Sequence, residues 1–283
     1  MAGDIFGFDA FSPKEVAERI QHIGVAKARL PLRSMFMLAL LAGAFIGLGS
    51  LAFLLVASDP ALPFAVMRIL GGLVFSLGLI MVVVAGAELF TGNNLLAMAW
   101  AERRVSTGEV LRNWIVVCLG NLVGAMGLAL LVLLAGTMTL NGGLLAKAAV
   151  SVAAAKAALP WEVAFFRGVL CNVLVCLAIW MSAAGRSVVD KSVAIVPPIA
   201  AFVALGFEHS IANMFFFPLA IGLTAIDPAL AALPGAAGVT WAAMAGNLAP
   251  VIAGNLVGGS VLVALVYWVI YRAGPAGLRG PRQ

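Results

Sequence analysis

Glu208 and His209 stand between two apolar runs, Val193 to Leu205 and Met214 to Leu223. An ionisable side chain in hydrocarbon costs several kcal/mol, roughly 2.5 to 3.5 on insertion scales, unless it faces a cavity or a partner. Histidine, with an unperturbed pKa of about 6.5, can exchange a proton near neutrality, so the chemistry this pair offers is the handling of charge or a proton at membrane depth. The plainer reading is that the two side chains only satisfy each other. A second stretch weighs against it. Ala87-Glu88-Leu89-Phe90-Thr91-Gly92-Asn93 interrupts another apolar run, and both places read Glu, four residues, Asn: Glu88 with Asn93, Glu208 with Asn213. The match predicts two helices broken in the same way.

The elements that must position these residues are set by composition. With 63% hydrophobic and 10% charged residues over 283 positions, the chain has too little polar surface to cover a water-soluble globule. Its mean hydropathy is +1.11. A spanning helix takes about 20 apolar residues, and irregular backbone at that depth persists only where protein or a water-filled cavity satisfies it. An all-α integral membrane protein is the expectation, since runs such as Val261 to Ile270 lack the alternation of barrel strands. The net charge of +5 reflects basic residues flanking apolar runs, and no nucleic-acid partner is expected. Cys118, Cys171 and Cys176 lie inside apolar segments and read as packed thiols. No cleavable leader is expected, since Asp4 to Arg33 is mixed and charged.

Taken in order, Ser12 followed by Pro13 and Glu15 predicts a capped helix over Pro13 to Arg29 whose apolar residues give it a face for lying on a membrane surface. Six spans follow. The first runs from about Ser34 to Ala57, and the second begins near Phe64, breaks at Gly86 to Gly92 and ends near Ala101. The third covers about Val110 to Ala135. A loop from Gly136 to Pro160 carries a short helical piece, and the fourth span covers about Trp161 to Ala184. The fifth starts near Val193 and breaks at the Glu208 stretch; the sixth covers about Trp241 to Tyr271. Residues 1–33 form an amphipathic N-terminal region, 34–271 a single six-helix domain and 272–283 a basic tail. Lys and Arg are concentrated at both termini and in the second-to-third and fourth-to-fifth loops, which predicts both termini cytoplasmic.

The third and sixth spans also correspond. Each carries Gly-Asn-Leu-Val-Gly, and the step from Asn113 to Asn121 equals that from Asn247 to Asn255, eight residues. Together with the paired breaks this predicts an inverted three-plus-three repeat. The steps Gly43 to Gly47, Gly120 to Gly124 and Gly254 to Gly258 are small-residue seams that let helix backbones approach.

AELFTGN, NWIVVCLGNLVGA, GVLCNVLVCLAIWMS, GFEHSIANMFFFP and NLAPVIAGNLVGG together resemble the formate–nitrite transporter family, and GRSVVDK with YWVIY resembles its formate channel branch. The resemblance covers nearly the whole chain. It implies a homopentamer of protomers with an aquaporin-like six-helix fold, each with its own pore, in a bacterial cytoplasmic (inner) membrane. It implies His209 as the central pore histidine, Thr91 facing it, Asn172 and Glu208 hydrogen-bonding nearby, and Lys156 in the external vestibule. Phe75, Leu79, Leu89 and Phe90 would form the cytoplasmic constriction, and Val175 and Phe202 the external one. Glu88 and Gly92-Asn93 depart from the formate channel pattern toward the nitrite branch, which leaves the anion open.

A bare carboxylate crosses apolar rings only when neutralised. Formate drawn in by Lys156 would therefore cross as formic acid, or paired with the ring of His209, with membrane lipids and protons as its other partners. Nitrite, hydrosulfide or lactate are alternatives within transport. A metalloenzyme lacks ligands, because His22 and His209 are the only histidines and no His-Glu-x-x-His or Cys-x-x-Cys occurs. No cofactor or metal is expected, nor an enzymatic activity. The remaining alternative is a non-transporting membrane sensor.

Overall fold

The computed structural model describes residues 10–272, so the first nine residues and the rest of the basic tail lie outside the described part. The described chain is almost wholly helical. Its helices are α1 (Pro13–Ala28), α2 (Leu32–Ala57), α3 (Phe64–Met81), α4 (Leu96–Ala101), α5 (Thr107–Leu134) and α6 (Leu144–Ala157). They continue with α7 (Trp161–Ser182), α8 (Val188–Ala204), α9 (Ser210–Ile226), α10 (Pro228–Ala231), α11 (Trp241–Leu256) and α12 (Val266–Tyr271). A π-helical turn, Val82–Gly86, extends α3, and a π-helical stretch, Val257–Leu265, joins α11 to α12.

Five helical stretches are long and apolar enough to cross a membrane: Leu32–Ala57, Phe64–Gly86, Thr107–Leu134, Trp161–Ser182 and Trp241–Tyr271. The α8–α9 pair supplies two helices of 17 residues each. Starts are written locally. Ser12, Ser106 and Ser187 each close a capping box with the acid three residues on, and Pro31, Pro63 and Pro160 each stand just before a first turn.

Helix α9 is the centre of the packing. Every residue from Ser210 to Ala220 is buried, and the helix is surrounded by α2, α5, α6 and α11. Around it, α2 pairs with α5 and α7 with α11 through the glycine seams. A Cβ on Gly124 would overlap the Leu40 carbonyl, and one on Gly258 the Val169 carbonyl, so these backbones touch only because no side chain intervenes.

Helix α1 differs from its expectation. Val16, Ala17, Ile20, Gly24 and Ala28 are buried against the protein, chiefly α4, with Gly24 closing on Ala99. Of the apolar residues expected to rest on lipid, Val16 and Ile20 are covered by the chain itself while Ile23 stays exposed. Arg272 fastens the far end of the chain beside it, bonding Glu18 at 3.1 Å and Glu102 at 3.3 Å.

Candidate functional site

Both breaks are made by one device. The chain leaves α3 through Gly86 at φ +81° and leaves α8 through Gly206 at φ +74°, a left-handed conformation that glycine adopts without strain. Two residues later comes a glutamate whose amide donates to a neighbouring helix: Glu88 N–H to Leu38 O and Glu208 N–H to Arg167 O, both 3.2 Å. The turned segments are thereby tied to α2 and α7 respectively.

The side chains form two closely similar sets, differing in that Lys27 Nζ also donates to Asn93 Oδ1 at 3.1 Å. Lys27 Nζ lies 2.7 Å from Glu88 Oε1, and Lys156 Nζ lies 2.9 and 3.1 Å from the two oxygens of Glu208. Asn93 Nδ2 donates to Glu88 Oε2 at 2.6 Å and to Asn113 Oδ1 at 2.9 Å; Asn213 Nδ2 donates to Glu208 Oε2 and to Asn247 Oδ1, both at 2.7 Å. Asn113 and Asn247 then donate to the backbone carbonyls of Lys27 and Lys156. One layer deeper, Asn121 donates to Ala39 O and Glu88 O and accepts from Phe90 N–H. Asn255 likewise donates to Gly168 O and Glu208 O and accepts from Ser210 N–H. Both carboxylates are buried, their side chains 5% and 4% exposed, and each is matched by one ammonium and one amide. That pairing is what makes a buried charge tolerable.

Lys27 is the residue that sequence reasoning missed. In the sequence it is one more polar residue on an amphipathic helix; only the fold brings it beside Glu88, 61 positions away. The signal that could have found it is the Asn113 and Asn247 correspondence, since each asparagine binds the carbonyl of its own lysine.

Between the two sets lie Thr91 and His209. Thr91 Oγ1 is 3.1 Å from His209 Nε2, and His209 Nδ1 accepts the N–H of Ala212 at 3.1 Å, capping α9. Because Nδ1 must present a lone pair to that amide, the ring hydrogen resides on Nε2 and points at Thr91. The ring of Phe202 stacks on His209, with centroids 5.8 Å apart and planes at 20°, and meets Phe75 edge-on at 5.5 Å. Thr91 is gripped from behind. Its carbonyl accepts from Asn172 Nδ2 at 3.2 Å and Cys176 Sγ at 3.4 Å, and Asn172 also donates to Asn94 Oδ1 and Asn255 O, both 2.7 Å. Asn172 thus backs Thr91 rather than reaching His209.

Two cavities flank this centre. One, of about 460 Å³, is bordered by Lys27, Glu88, Leu89 and Asn93, together with Arg19 and Lys191. The other, of about 360 Å³, is bordered by Lys156, Glu208, His209 and Phe202, together with Arg68 and Arg167. Each therefore sets three cationic side chains against one carboxylate, which favours small anions. Phe75 is a correction to the grouping with Leu89. It borders the Lys156 cavity beside Phe202, because α3 faces α8 with Gly72 against Ala200 and Ser76 against Val196. Leu79, Phe90 and Val175 are buried and border neither cavity.

Residues 14–269 match the family model described as formate/nitrite transporter. The chain is 40% identical over 273 residues to the formate channel FocA of Escherichia coli (strain K12), covering 93% of this chain and 95% of that one. Among solved structures it is similar to a pentameric formate channel with formate bound. The TM-score there is 0.79 at 40% identity, covering 85% of this chain and 97% of that one. It is similar also to an FNT family ion channel, at a TM-score of 0.80 and 32% identity over 92% of this chain and 99% of that one. With the match spanning nearly every described helix, this chain belongs to the formate/nitrite transporter family.

Proposed function

We propose that this protein moves formate across the membrane in a pH-dependent way. The observation that carries the proposal is the Thr91–His209 contact, set between two cavities that each hold three cations and one carboxylate. Formate is drawn into either cavity by Lys27 or Lys156, whose ammonium groups are already oriented by Glu88 and Glu208. It sheds water where Phe202 and Phe75 close on one side and Leu89 on the other. There it receives a hydrogen bond from His209 Nε2–H as Thr91 yields its place, and takes up a proton delivered by water of the cavity it entered from. It passes the apolar centre as formic acid, because an unpaired ion in low dielectric neutralises, and returns that proton to water on the far side. Asn172 keeps Thr91 in place throughout. For the ring itself to become imidazolium it must give up the Ala212 bond.

The paired hydrogen-bond sets support counting each interrupted helix as one span, which gives six spans in an inverted three-plus-three arrangement with an aquaporin-like outline. The name of the solved pentameric relative supports five copies, each with its own pathway. The distribution of Lys and Arg supports a bacterial inner-membrane protein with cytoplasmic termini, the Lys27 cavity facing inward and the Lys156 cavity outward.

Flux of formate, nitrite, lactate and hydrosulfide into proteoliposomes at pH 5 and pH 7, beside His209→Ala and Lys156→Ala, tests the proposal. Formate flux that rises at the lower pH and falls in both variants supports it. No flux of any small anion would sink it and leave a membrane sensor. Nitrite is the second reading, favoured by Glu88 and Gly92-Asn93, and it wins if nitrite outcompetes formate in the same vesicles.

A further inference from the structure

Arg68 lies on α3, outside every motif and outside the repeated hydrogen-bond sets. Its guanidinium crosses to α8, where Nε donates to Ala204 O and Nη2 to Val203 O, both at 2.8 Å. These are carbonyls of the last turn of α8, which the helix cannot satisfy from within. The other bonds of that turn are accounted for: Phe202 O accepts from Phe207 N–H at 3.0 Å and Val203 O from Gly206 N–H at 3.1 Å. Arg68 therefore closes the end of the helix just where the chain turns through Gly206, whose Cβ, had it one, would stand 2.9 Å from Arg68 Nη2.

Phe202, the residue immediately before these carbonyls, is the ring that stacks on His209 and meets Phe75 edge-on. The place of that ring depends on the place of the last turn, and α3 carries both Phe75 and Arg68, two helical turns apart. One helix thus supplies a ring to one side of the gap and a clamp to the other. At the corresponding end of α3, Ala87 N–H bonds Val82 O as Phe207 bonds Phe202, yet the residue in the ring's place is a valine. Among the described residues no side chain bonds the carbonyls of Val83 or Val84 there.

We propose that Arg68 is a positioning residue for selection by size. By fixing the last turn of α8 it holds the Phe202 ring between Phe75 and His209 at a width that passes a one-carbon anion and retards a larger carboxylate. A bidentate guanidinium suits this, since an ammonium cannot hold two neighbouring carbonyls from one rigid fork. The inference rests on the proposed transport of formate.

The test is the ratio of lactate to formate flux, measured in the same proteoliposomes at pH 7, for wild type, Arg68→Lys, Arg68→Gln and Phe202→Ala. The amount of inserted protein cancels in a ratio, so a merely structural role of Arg68 lowers both fluxes together and leaves it fixed. The expected result is a rise of roughly tenfold in Arg68→Gln, the scale of one lost charge-assisted hydrogen bond, with a smaller rise in Arg68→Lys and one at least as large in Phe202→Ala. If Arg68→Gln does not assemble, the Arg68→Lys ratio decides. A wild-type ratio in both arginine variants while formate still flows overturns the inference and leaves the proposed function standing. No formate flux in the wild type overturns the proposed function, and the inference falls with it.

Discussion

The amide of Ala212 donates to Nδ1 of His209 over 3.1 Å, and that bond decides which ring nitrogen carries the hydrogen. It also makes the histidine the N-cap of α9, the helix around which the rest of the protein is packed. The proposed proton handling and the stability of α9 therefore meet in one side chain.

Those two roles can be separated. Asparagine is among the best N-cap residues, whereas phenylalanine cannot cap. His209→Asn is expected to melt within a degree or two of wild type while losing the pH dependence of formate flux, and His209→Phe to lose about 1 kcal/mol of stability besides. Thermal unfolding beside flux at pH 5 and pH 7 checks both. Unaltered pH dependence in His209→Asn would remove the histidine from proton handling.

Lys156→Ala leaves the Glu208 carboxylate buried without its ammonium, which is expected to cost about 3–5 kcal/mol. The double variant Lys156→Ala/Glu208→Gln, which removes both charges, is expected to regain most of that stability while formate flux stays low. Denaturation of Lys156→Ala, Glu208→Gln and the double variant side by side measures the coupling. Lys27→Ala and Glu88→Gln should behave the same way at the other cavity. An additive pair of effects would show that the contact is incidental.

The glycine seams divide into contacts that matter and positions that do not. Gly258→Ala sets a methyl group onto the Val169 carbonyl and is expected to cost about 1–3 kcal/mol or to prevent assembly. Gly246→Ala meets nothing within 4 Å and should assemble as wild type does. Size-exclusion profiles in detergent discriminate the two.

The Ser12 amide and hydroxyl, with the amide first, hold the Glu15 carboxylate below its ordinary pKa. A carboxylate whose pKa is depressed on folding stabilises fully above its unfolded value, near 4.5, and loses that contribution as pH falls through the lower folded value. The α1 cap is therefore intact at both pH 5 and pH 7. Glu15→Gln should leave the ratio of formate fluxes at these two pH values unchanged, and a changed ratio would place the pH response in α1.

Much of this was legible in the sequence because it is written locally. The Glu88–Asn93 and Glu208–Asn213 spacings, the two glycine-led interruptions and the Ser12–Glu15 box each lie within a few residues. The Asn113 and Asn247 correspondence was visible because the chain repeats its own words. What escaped depended on distance. Lys27 on Glu88 is a contact between a polar helix face and a residue 61 positions and two helices away, and polar faces look alike whether water or a carboxylate covers them. Phe75 fell on the other side of the centre because its neighbour is set by the antiparallel register of α3 and α8, which no local pattern encodes. Asn172 turned out to serve Thr91 through its backbone, and a backbone acceptor leaves no mark in a sequence.

The origin of the two lysines has a consequence for biosynthesis. Lys27 leaves the ribosome with α1, before its partners Glu88 and Asn113, so its side chain waits unpaired while α2 and α3 insert. Lys156, on α6, likewise precedes Glu208 by 52 residues and Asn247 by 91, so it too waits for helices made later. Each approach to the centre is thus closed only when later helices reach a lysine already in place.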